Sequence, residues 1–392
     1  MAVNDLTFVQ ISTILNSIVN QATGAANLTA TDTSSFITVA QTALKTGYDP
    51  LATAISQVLS RTIFSVRPYN AKFKGLMMDA QKWGNHVRKL QVIDKPFEDD
   101  DRLKLVDGYS IDQYVVNKPE VLQTNFYGAT TFQKSMTIFK DQLDSAFSGP
   151  DGFQSFLGMY MQNASDMIEQ AKENLARSTV VNLGAGAGLS GREVYLISEY
   201  NTATGESLTA TTVYDPANFP NFARWLFGYI KTLARQMSER SISYHTNLTG
   251  TNIMRHTPAD KLKIYTFAPI FDSIETRVLT DAFNDEYLKL ADREAVTFWQ
   301  SIKTPEKIDL DDAAFLKADG TVDKDEYTQN HVLGIIFDEE AAGMTTVNEW
   351  AQATPFNARG GYYNQYFHFT ERWYNDFTEN SVILLMDTAP SP

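Results

Sequence analysis

Near the start of the chain Phe8, Ile11, Leu15 and Ile18 recur at three- and four-residue spacing, which predicts a short amphipathic helix. The Thr/Ala/Ser-rich stretch Ala22 to Ser35 reads as a loop, and Leu51, Ile55, Val58 and Leu59 mark a second helix. Residues 1–60 carry only Asp5, Asp32, Lys45 and Asp49 as charged groups. An arm so apolar is expected to bury little against itself and to pack on its own body or on a neighbour. The strongest signal follows Gly149-Pro150-Asp151-Gly152. Apolar residues fall at Phe153, Phe156, Leu157, Tyr160, Met161, Ala164, Ile168, Ala171 and Leu175, a sustained helical stripe. It predicts a helix over about 152–183, with Asp151 as its N-cap and glycines 184, 186 and 188 as its terminator. Thirty residues make a rod of about 45 Å.

Between these helices the character changes. Residues 84–130 are rich in charge, turn residues and β-branched or aromatic side chains, and read as a long extended β excursion. Asp107-Gly108 is a turn dipeptide within it, and Tyr109 to Val116 reads as a strand. Beyond Tyr214 helix and strand alternate. Phe219 to Arg240 and the stretch after His256-Thr257-Pro258 read as helices, Lys263 to Phe267 as a strand, and Ile270 to Phe283 as another helix. A charged, turn-rich insertion follows over about 301–330, then a buried strand, Val332 to Phe337. The closing segment alternates strictly. Tyr363, Phe367, Phe369 and Trp373 share one face, Tyr362, Tyr366, His368 and Tyr374 the other. Ser381 to Met386 is a fully apolar strand. No internal repeat is present.

Composition narrows the function classes. The 392 residues suffice for one large or two medium domains. A net charge of −14 argues against a nucleic-acid binder, which needs cations to neutralise phosphate. The absence of cysteine excludes disulfides, thiolate metal sites and cysteine nucleophiles. The first 44 residues hold neither lysine nor arginine and show no secretory pattern. No apolar run approaches the roughly 20 residues that span a bilayer, so the expectation is a soluble intracellular protein.

There is no GxxxxGK[ST] loop and no HExxH pair. Gly188-Leu-Ser-Gly-Arg192 lacks the second glycine of a nucleophile elbow and reads as a loop. Glycines 184, 186 and 188 follow a helix, unlike a dinucleotide loop. Asp319, Asp323 and Asp325 place their glycine wrongly for a calcium loop and read as a solvated turn. The acidic run Glu98 to Asp101 reads as an exposed loop. Histidines 86, 245, 256, 331 and 368 show no metal spacing, and His368 reads as a packed or interface residue. Tyr362 and Tyr366 are candidates to stack a sugar or base, against a cross-strand aromatic ladder. No residue is assigned a catalytic, cofactor-binding or metal-ligating role.

What remains is one dense aromatic segment. Between Tyr362 and Phe377 eight of sixteen residues are aromatic, against 12% for the chain. The order of elements, an apolar arm, a β excursion, a rod helix, an α/β region and closing strands, resembles the Hong Kong 97 (HK-97) type major capsid protein. The string NARGGYYNQYFHFTERWYNDFTENSVILLM, with Arg359, Gly360, Tyr363, Tyr366 and His368, is similar to the C-terminal segment of the small phi-29-type podophage capsid proteins. His256-Thr257-Pro258 to Asp281-Ala282-Phe283-Asn284 resembles their axial-domain unit. Ser60 to Lys74, with Pro68, Lys72 and Lys74, resembles their join of arm and extended loop. The similarity runs collinearly from about residue 36 to 386. Some of those proteins carry a further immunoglobulin-like domain after the last strand; no such domain follows here before Pro392.

The resemblance implies an α+β, HK-97-type capsid fold. Its arm would be 1–60 and its extended β-loop 75–131. Its peripheral domain would combine 61–74, 132–213 and 336–392 around a spine helix of about 152–183, with an axial domain over 214–335. The aromatic strands would then pack against the spine helix. It also implies a major capsid protein of a tailed bacteriophage. That protein would assemble as hexamers and pentamers into an icosahedral or prolate shell around double-stranded DNA. Its partners would be copies of itself, a scaffolding protein during assembly and a portal protein at one vertex, with no membrane. Its place would be the virion, and the host cytoplasm during assembly. A bacterial nanocompartment shell shares that fold. From other classes, a carboxylate-dependent hydrolase with an aromatic glycan surface and a trimeric fibre remain as alternatives.

Overall fold

The computed structural model describes residues 7–24, 29–66, 73–78, 86–93, 99–112, 114, 116, 118, 120–248, 253–279 and 293–390. Along the chain lie helices α1 (Phe8–Thr23), α2 (Thr33–Lys45) and α3 (Tyr48–Val66), then strands β1 (His86–Ile93), β2 (Glu120–Tyr127) and β3 (Thr130–Phe139). Helices α4 (Lys140–Ala146) and α5 (Pro150–Leu189) follow, with β4 (Glu193–Tyr195), α6 (Leu196–Thr204) and α7 (Phe219–Ser238). Next come β5 (Leu262–Phe267), α8 (Ala268–Leu279), β6 (Arg293–Val296), β7 (Ile308–Leu316), β8 (Val322–Gln329) and β9 (Val332–Asp338). The chain closes with β10 (Ala342–Ala353), β11 (Tyr362–Asn375) and β12 (Ser381–Leu385). Internal contacts divide it into two compact units. The first holds 1–83, 129–176 and 344–373; the second holds 84–128, 177–343 and 374–392.

In the first unit the three N-terminal helices pack on one another and on their own body. Helix α1 starts with a reciprocal Thr7–Gln10 capping box and ends at Gly24 in the left-handed region, φ 68°. The Ala22–Ser35 loop expected from composition is interrupted by α2, whose N-cap is Asp32: its carboxylate accepts from the Ser35 amide at 2.7 Å. Leu15, Ile18, Phe36, Ala40, Leu51 and Ile55 are fully buried. They share a core with Phe147, Phe153 and Leu157 of α4–α5 and with Tyr363 and Phe367 of β11. The Phe36 and Phe153 rings meet at 5.8 Å, and those of Tyr160 and Phe367 at 5.9 Å. The expectation that this arm buries little against itself is therefore corrected. Few charges are needed where three amphipathic stripes face inward together.

The sheet of this unit has the order β10-β11-β3. The alternation read from sequence holds from Tyr363 to Phe369, whose odd positions are buried and even ones half-buried. It breaks at Arg372, buried like Glu371 before it, and Trp373 is exposed rather than joining the apolar face. The rings of Phe132 and Phe369 stack at 5.2 Å across β3 and β11, the cross-strand pairing expected of an aromatic sheet.

The second unit is built on a five-stranded sheet of order β4-β12-β9-β5-β6. Strands β9 and β12 are buried at every position, as their continuous apolar sequences require. Two expectations fail here. The stretch after Pro258 is a turn, with the Lys261 amide donating to the Pro258 carbonyl at 2.9 Å, and it runs straight into β5. Among the described residues of Tyr109 to Val116 there is no strand. Tyr114 and Val116 stand 81% and 77% exposed; β-propensity without a partner strand does not make a ladder. The Asp107-Gly108 turn is present, with Gly108 at φ 84°, and β1 and β2 form an antiparallel ribbon from His86↔Tyr127 to Ile93↔Glu120. The charged 301–330 segment folds as the hairpin β7–β8. Pro68, Lys72, Glu98 and 281–284 lie outside the described residues.

Helix α5 also departs from its predicted end. It starts at Pro150, with Asp151 inside its first turn, and runs through Leu189. Glycines 184, 186 and 188 lie within it and serve close approach. A Cβ on Gly184 would stand 2.6 Å from Ile335 Cδ1, and one on Gly186 would collide with the Phe377 ring. One on Gly188 would strike the Tyr327 ring. The turn comes only at Gly191, φ 74°. We expect Gly186→Ala to destabilise the protein by about 1–3 kcal/mol through overpacking. Gly228→Ala, in the interior of α7 with nothing near its Cβ position, should stabilise it by about 0.5–1 kcal/mol. Urea unfolding of the two variants checks this; equal shifts would show that packing does not set the difference.

Candidate functional site

Few of the sequence candidates converge. Ser190 donates its hydroxyl back to the Gly186 carbonyl at 2.7 Å, and Arg192 is buried, donating to the Ser381 carbonyl and to Thr246 Oγ1. Gly188-Leu-Ser-Gly-Arg192 is thus a helix exit tied to β12. Asp319 accepts from the amide and hydroxyl of Thr321, and Asp323 pairs with Lys317. Both carboxyls are held below their ordinary range by those contacts. Asp100 and Asp101 pair with Arg102 and Lys104 on an exposed turn. His368 stacks on Trp350, centroids 3.9 Å apart, and Tyr362 lies edge-on to Phe139. His331 sits 3.3 Å from Glu306 and His256 on a cleft wall. Among the described residues no group of three His, Asp or Glu could hold a metal ion.

Two ion-pair clusters were not anticipated from sequence. In the first unit Lys172 of α5 reaches Glu349 of β10 at 2.6 Å and Glu371 of β11 at 3.1 Å, while Thr346 donates to Glu371 at 2.9 Å. Glu371 has no exposed surface. Burial lifts its carboxyl above the usual carboxylate range, and the ammonium opposite limits the rise. Burial likewise works against the Lys172 charge, but Glu371 and Glu349 outweigh it and its pKa is raised.

In the second unit Lys89 of β1 points into an acidic corner made by Glu340 and the turn between β11 and β12. It lies 3.0 Å from Asp376, 2.5 Å from Glu379 and 3.3 Å from Glu340. Gln91 donates to Glu379 at 3.3 Å, and Arg255 stands 3.4 Å from the same oxygen. The rings of Phe126 and Tyr374 meet at 4.5 Å. This corner holds β1 of the β1–β2 ribbon in place; between the two strands the described residues 99–112, 114, 116 and 118 are all exposed. Among the described residues, eleven of the twenty-three exposed large hydrophobics fall between Leu90 and Tyr127. Leu103, Val106, Tyr114 and Val116 are each at least 70% exposed. Scattered exposed apolar side chains are ordinary; a concentration of this kind marks a contact surface. Its sequence signal is the β-branched and aromatic content of 84–130, which reads as an extended β excursion with a strand at Tyr109 to Val116.

Two tests follow from the buried charges. Lys172→Met should cost about 3–5 kcal/mol at neutral pH, because Glu371 is left buried and unpaired. Its carboxyl would then have a folded pKa above the unfolded one, so protonation favours the folded state and the deficit should shrink as pH falls towards 5. A deficit independent of pH in urea titrations would rule out that origin. Burial, then Arg255 and Arg192, lowers His245 to about 4. Its contribution to stability is complete above the unfolded pKa of about 6.5 and lost as pH falls towards 4. His245→Leu should flatten that part of the stability profile, and an unchanged slope would assign it elsewhere.

With that geometry in view, the comparisons are specific. The family model for the Phi29-like phage major capsid protein matches residues 11–385. No curated protein matches the chain. Among solved structures, the capsid of Staphylococcus phage Andhra superposes with a TM-score of 0.50 at 12% identity, over 80% of this chain and 83% of that one. A structure of the head fiber and inner core protein of native bacteriophage P68 gives 0.49 at 12%, over 82% and 86%. The capsid of the cyanophage P-SCSP1u gives 0.42 at 13%, over 82% and 89%. At such identities the Andhra likeness speaks for the fold alone, an α+β fold of the HK97 capsid type. The function comes from the family match, which spans nearly the whole sequence: the chain belongs to the Phi29-like phage major capsid protein family.

Proposed function

We propose that this protein builds the shell by repeated contacts between its own copies, closing hexamers and pentamers into an icosahedral or prolate head around double-stranded DNA. The observation that carries this reading is the set of exposed apolar side chains between Leu90 and Tyr127, on and between the strands of the ribbon that Lys89 holds in place. A side chain such as Leu103, 82% exposed, has no packing role in its own subunit. Burying it against a neighbour contributes on the order of 2 kcal/mol. Spread over hundreds of copies, such contacts close a lattice from individually modest interfaces.

In this reading 75–131 is the extended loop, 1–60 the arm, 214–335 the axial domain, and α5 with the closing strands the peripheral domain. The protein acts by assembly rather than catalysis. Scaffolding and portal proteins are its partners during head formation in the host cytoplasm. The net charge of −14 leaves packaged DNA free of tight contact with the wall, because neutralising phosphate takes clustered cations. Among the described residues no helix is long and apolar enough to cross a membrane.

Expression with and without a scaffolding partner, followed by light scattering and negative-stain microscopy, tests the proposal. Closed shells or capsomer rings are expected; a monomer in both preparations would sink it. Val106→Asp combined with Leu103→Asp should abolish closed shells while leaving the unfolding midpoint of the free subunit unchanged, since both residues are exposed. Shells of normal yield from that variant would remove the ribbon from the assembly surface.

A further inference from the structure

Arg192, in the turn after α5, is a buried charge with no opposite charge beside it. It is 7% exposed, and its side-chain hydrogen bonds end on neutral oxygens. Nε donates to the Ser381 carbonyl at 3.0 Å, Nη1 to Thr246 Oγ1 at 2.8 Å, and Nη2 to Ser381 Oγ at a long 3.4 Å. Among the described residues no carboxylate lies within ion-pair distance of it. Burial, unopposed, draws its pKa down to about 10. Lys172 and Lys89, by contrast, each meet buried carboxylates. A buried ion left without an opposite charge is strongly disfavoured, so a compensating group is expected at Arg192.

Two neighbours bring unused donors to the same region of the second unit. His245, next to Thr246, is 5% exposed, and neither of its ring nitrogens makes a hydrogen bond. Arg255 gives Nε to the Thr378 carbonyl and Nη1 to Glu379, while its buried Nη2 has no partner. Both guanidiniums act on the His245 imidazole, and both are bonded to the 378–381 stretch. The nearby carboxylates, Asp376 and Glu379, already face Lys89. Buried donors without acceptors are rare in folded proteins, and here they stand beside an uncompensated cation.

We infer that Arg192, His245 and Arg255 hold a small monovalent anion, chloride in ordinary buffers, inside the second unit. One negative charge balances Arg192, and a monatomic ion needs no more donors than the imidazole N–H and the free guanidinium N–H groups supply. A phosphate, with more charge and more acceptor oxygens, would demand a larger set. A cleft of about 390 Å³, with Arg240, Arg255, His256 and Lys261 on its walls, gives such an ion a route to Arg255. The ion would brace the exit of α5 against β12 and against the turn that receives Lys89. Its binding to the folded state alone adds stability by mass action.

Urea unfolding of the full chain as free subunit, in sodium chloride and in sodium gluconate of matched ionic strength, tests this independently of shell building. The midpoint should be higher in chloride. Above the dissociation constant, each tenfold rise in chloride should raise the folding equilibrium constant about tenfold. Equal midpoints in the two salts at every concentration overturn the inference. Arg192→Met should abolish the chloride response and lose less stability in gluconate than in chloride. His245→Leu leaves every charge in place at neutral pH and serves if Arg192→Met does not fold. It should move half-saturation to about tenfold more chloride or beyond, since a hydrogen bond to a charged group is lost. A chloride response unchanged in the variants that fold puts the ion elsewhere and overturns the assignment. Crystals of the parent grown in sodium bromide give a readout that needs no variant. An anomalous-scattering peak in contact with Arg192 and His245 is expected, and a map without one overturns the site.

Discussion

Both hydrophobic cores depend on one helix. Helix α5 is forty residues long, about 60 Å at 1.5 Å per residue, and it contributes to each of the two units with different surfaces. Its first part presents Phe153, Phe156, Leu157 and Tyr160, large rings that fill the space between the N-terminal helices and β11. Its last part presents the Gly184–Gly188 stripe, where the absence of Cβ atoms lets Ile335, Phe377 and Tyr327 come against the backbone. Bulk is required at one end and its absence at the other. That pairing of requirements explains why three glycines survive in a helix interior, each costing about 1 kcal/mol of propensity.

Around this helix charge is used sparingly and with a partner at hand. Lys172 is buried between Glu349 and Glu371, and Lys89 between Asp376 and Glu379. In each cluster the buried carboxylates face a cation. Their value lies in register. A strand that slipped by one residue would turn Glu371 away from Lys172, so the pair penalises misplacement more than it adds stability. At Lys89 the same logic fixes where the β1–β2 ribbon leaves the body. The ribbon proposed above as a contact between copies thereby has a fixed root.

Much of this was legible beforehand. The α5 stripe, the alternation of β11, and the unbroken apolar runs of β9 and β12 follow from periodicity, because burial of one face forces a 3.6- or two-residue repeat. Helix α2 is legible too: Asp32 followed by Phe36, Val39, Ala40 and Ala43 is an N-cap and a helical stripe. Glu371 shares the parity of Tyr363, Gln365, Phe367 and Phe369, a formal charge on an uncharged buried face that points to a buried partner. The capsid family itself could be recognised from the order of elements and the Tyr362–Phe377 segment.

By itself, then, the sequence determined which segments bury a face and in which periodicity, since those depend only on neighbours a few residues away. Tertiary structure alone decided where α5 ends, because the fate of Gly184–Gly188 rests on side chains about 140 to 190 positions later in the chain. It decided that the arm folds on its own body, since three stripes that look the same in sequence can close on one another or on a neighbour. It decided the partners of Lys89 and Lys172, because a charge is satisfied by whatever the fold brings within about 4 Å, and sequence spacing carries no record of that distance.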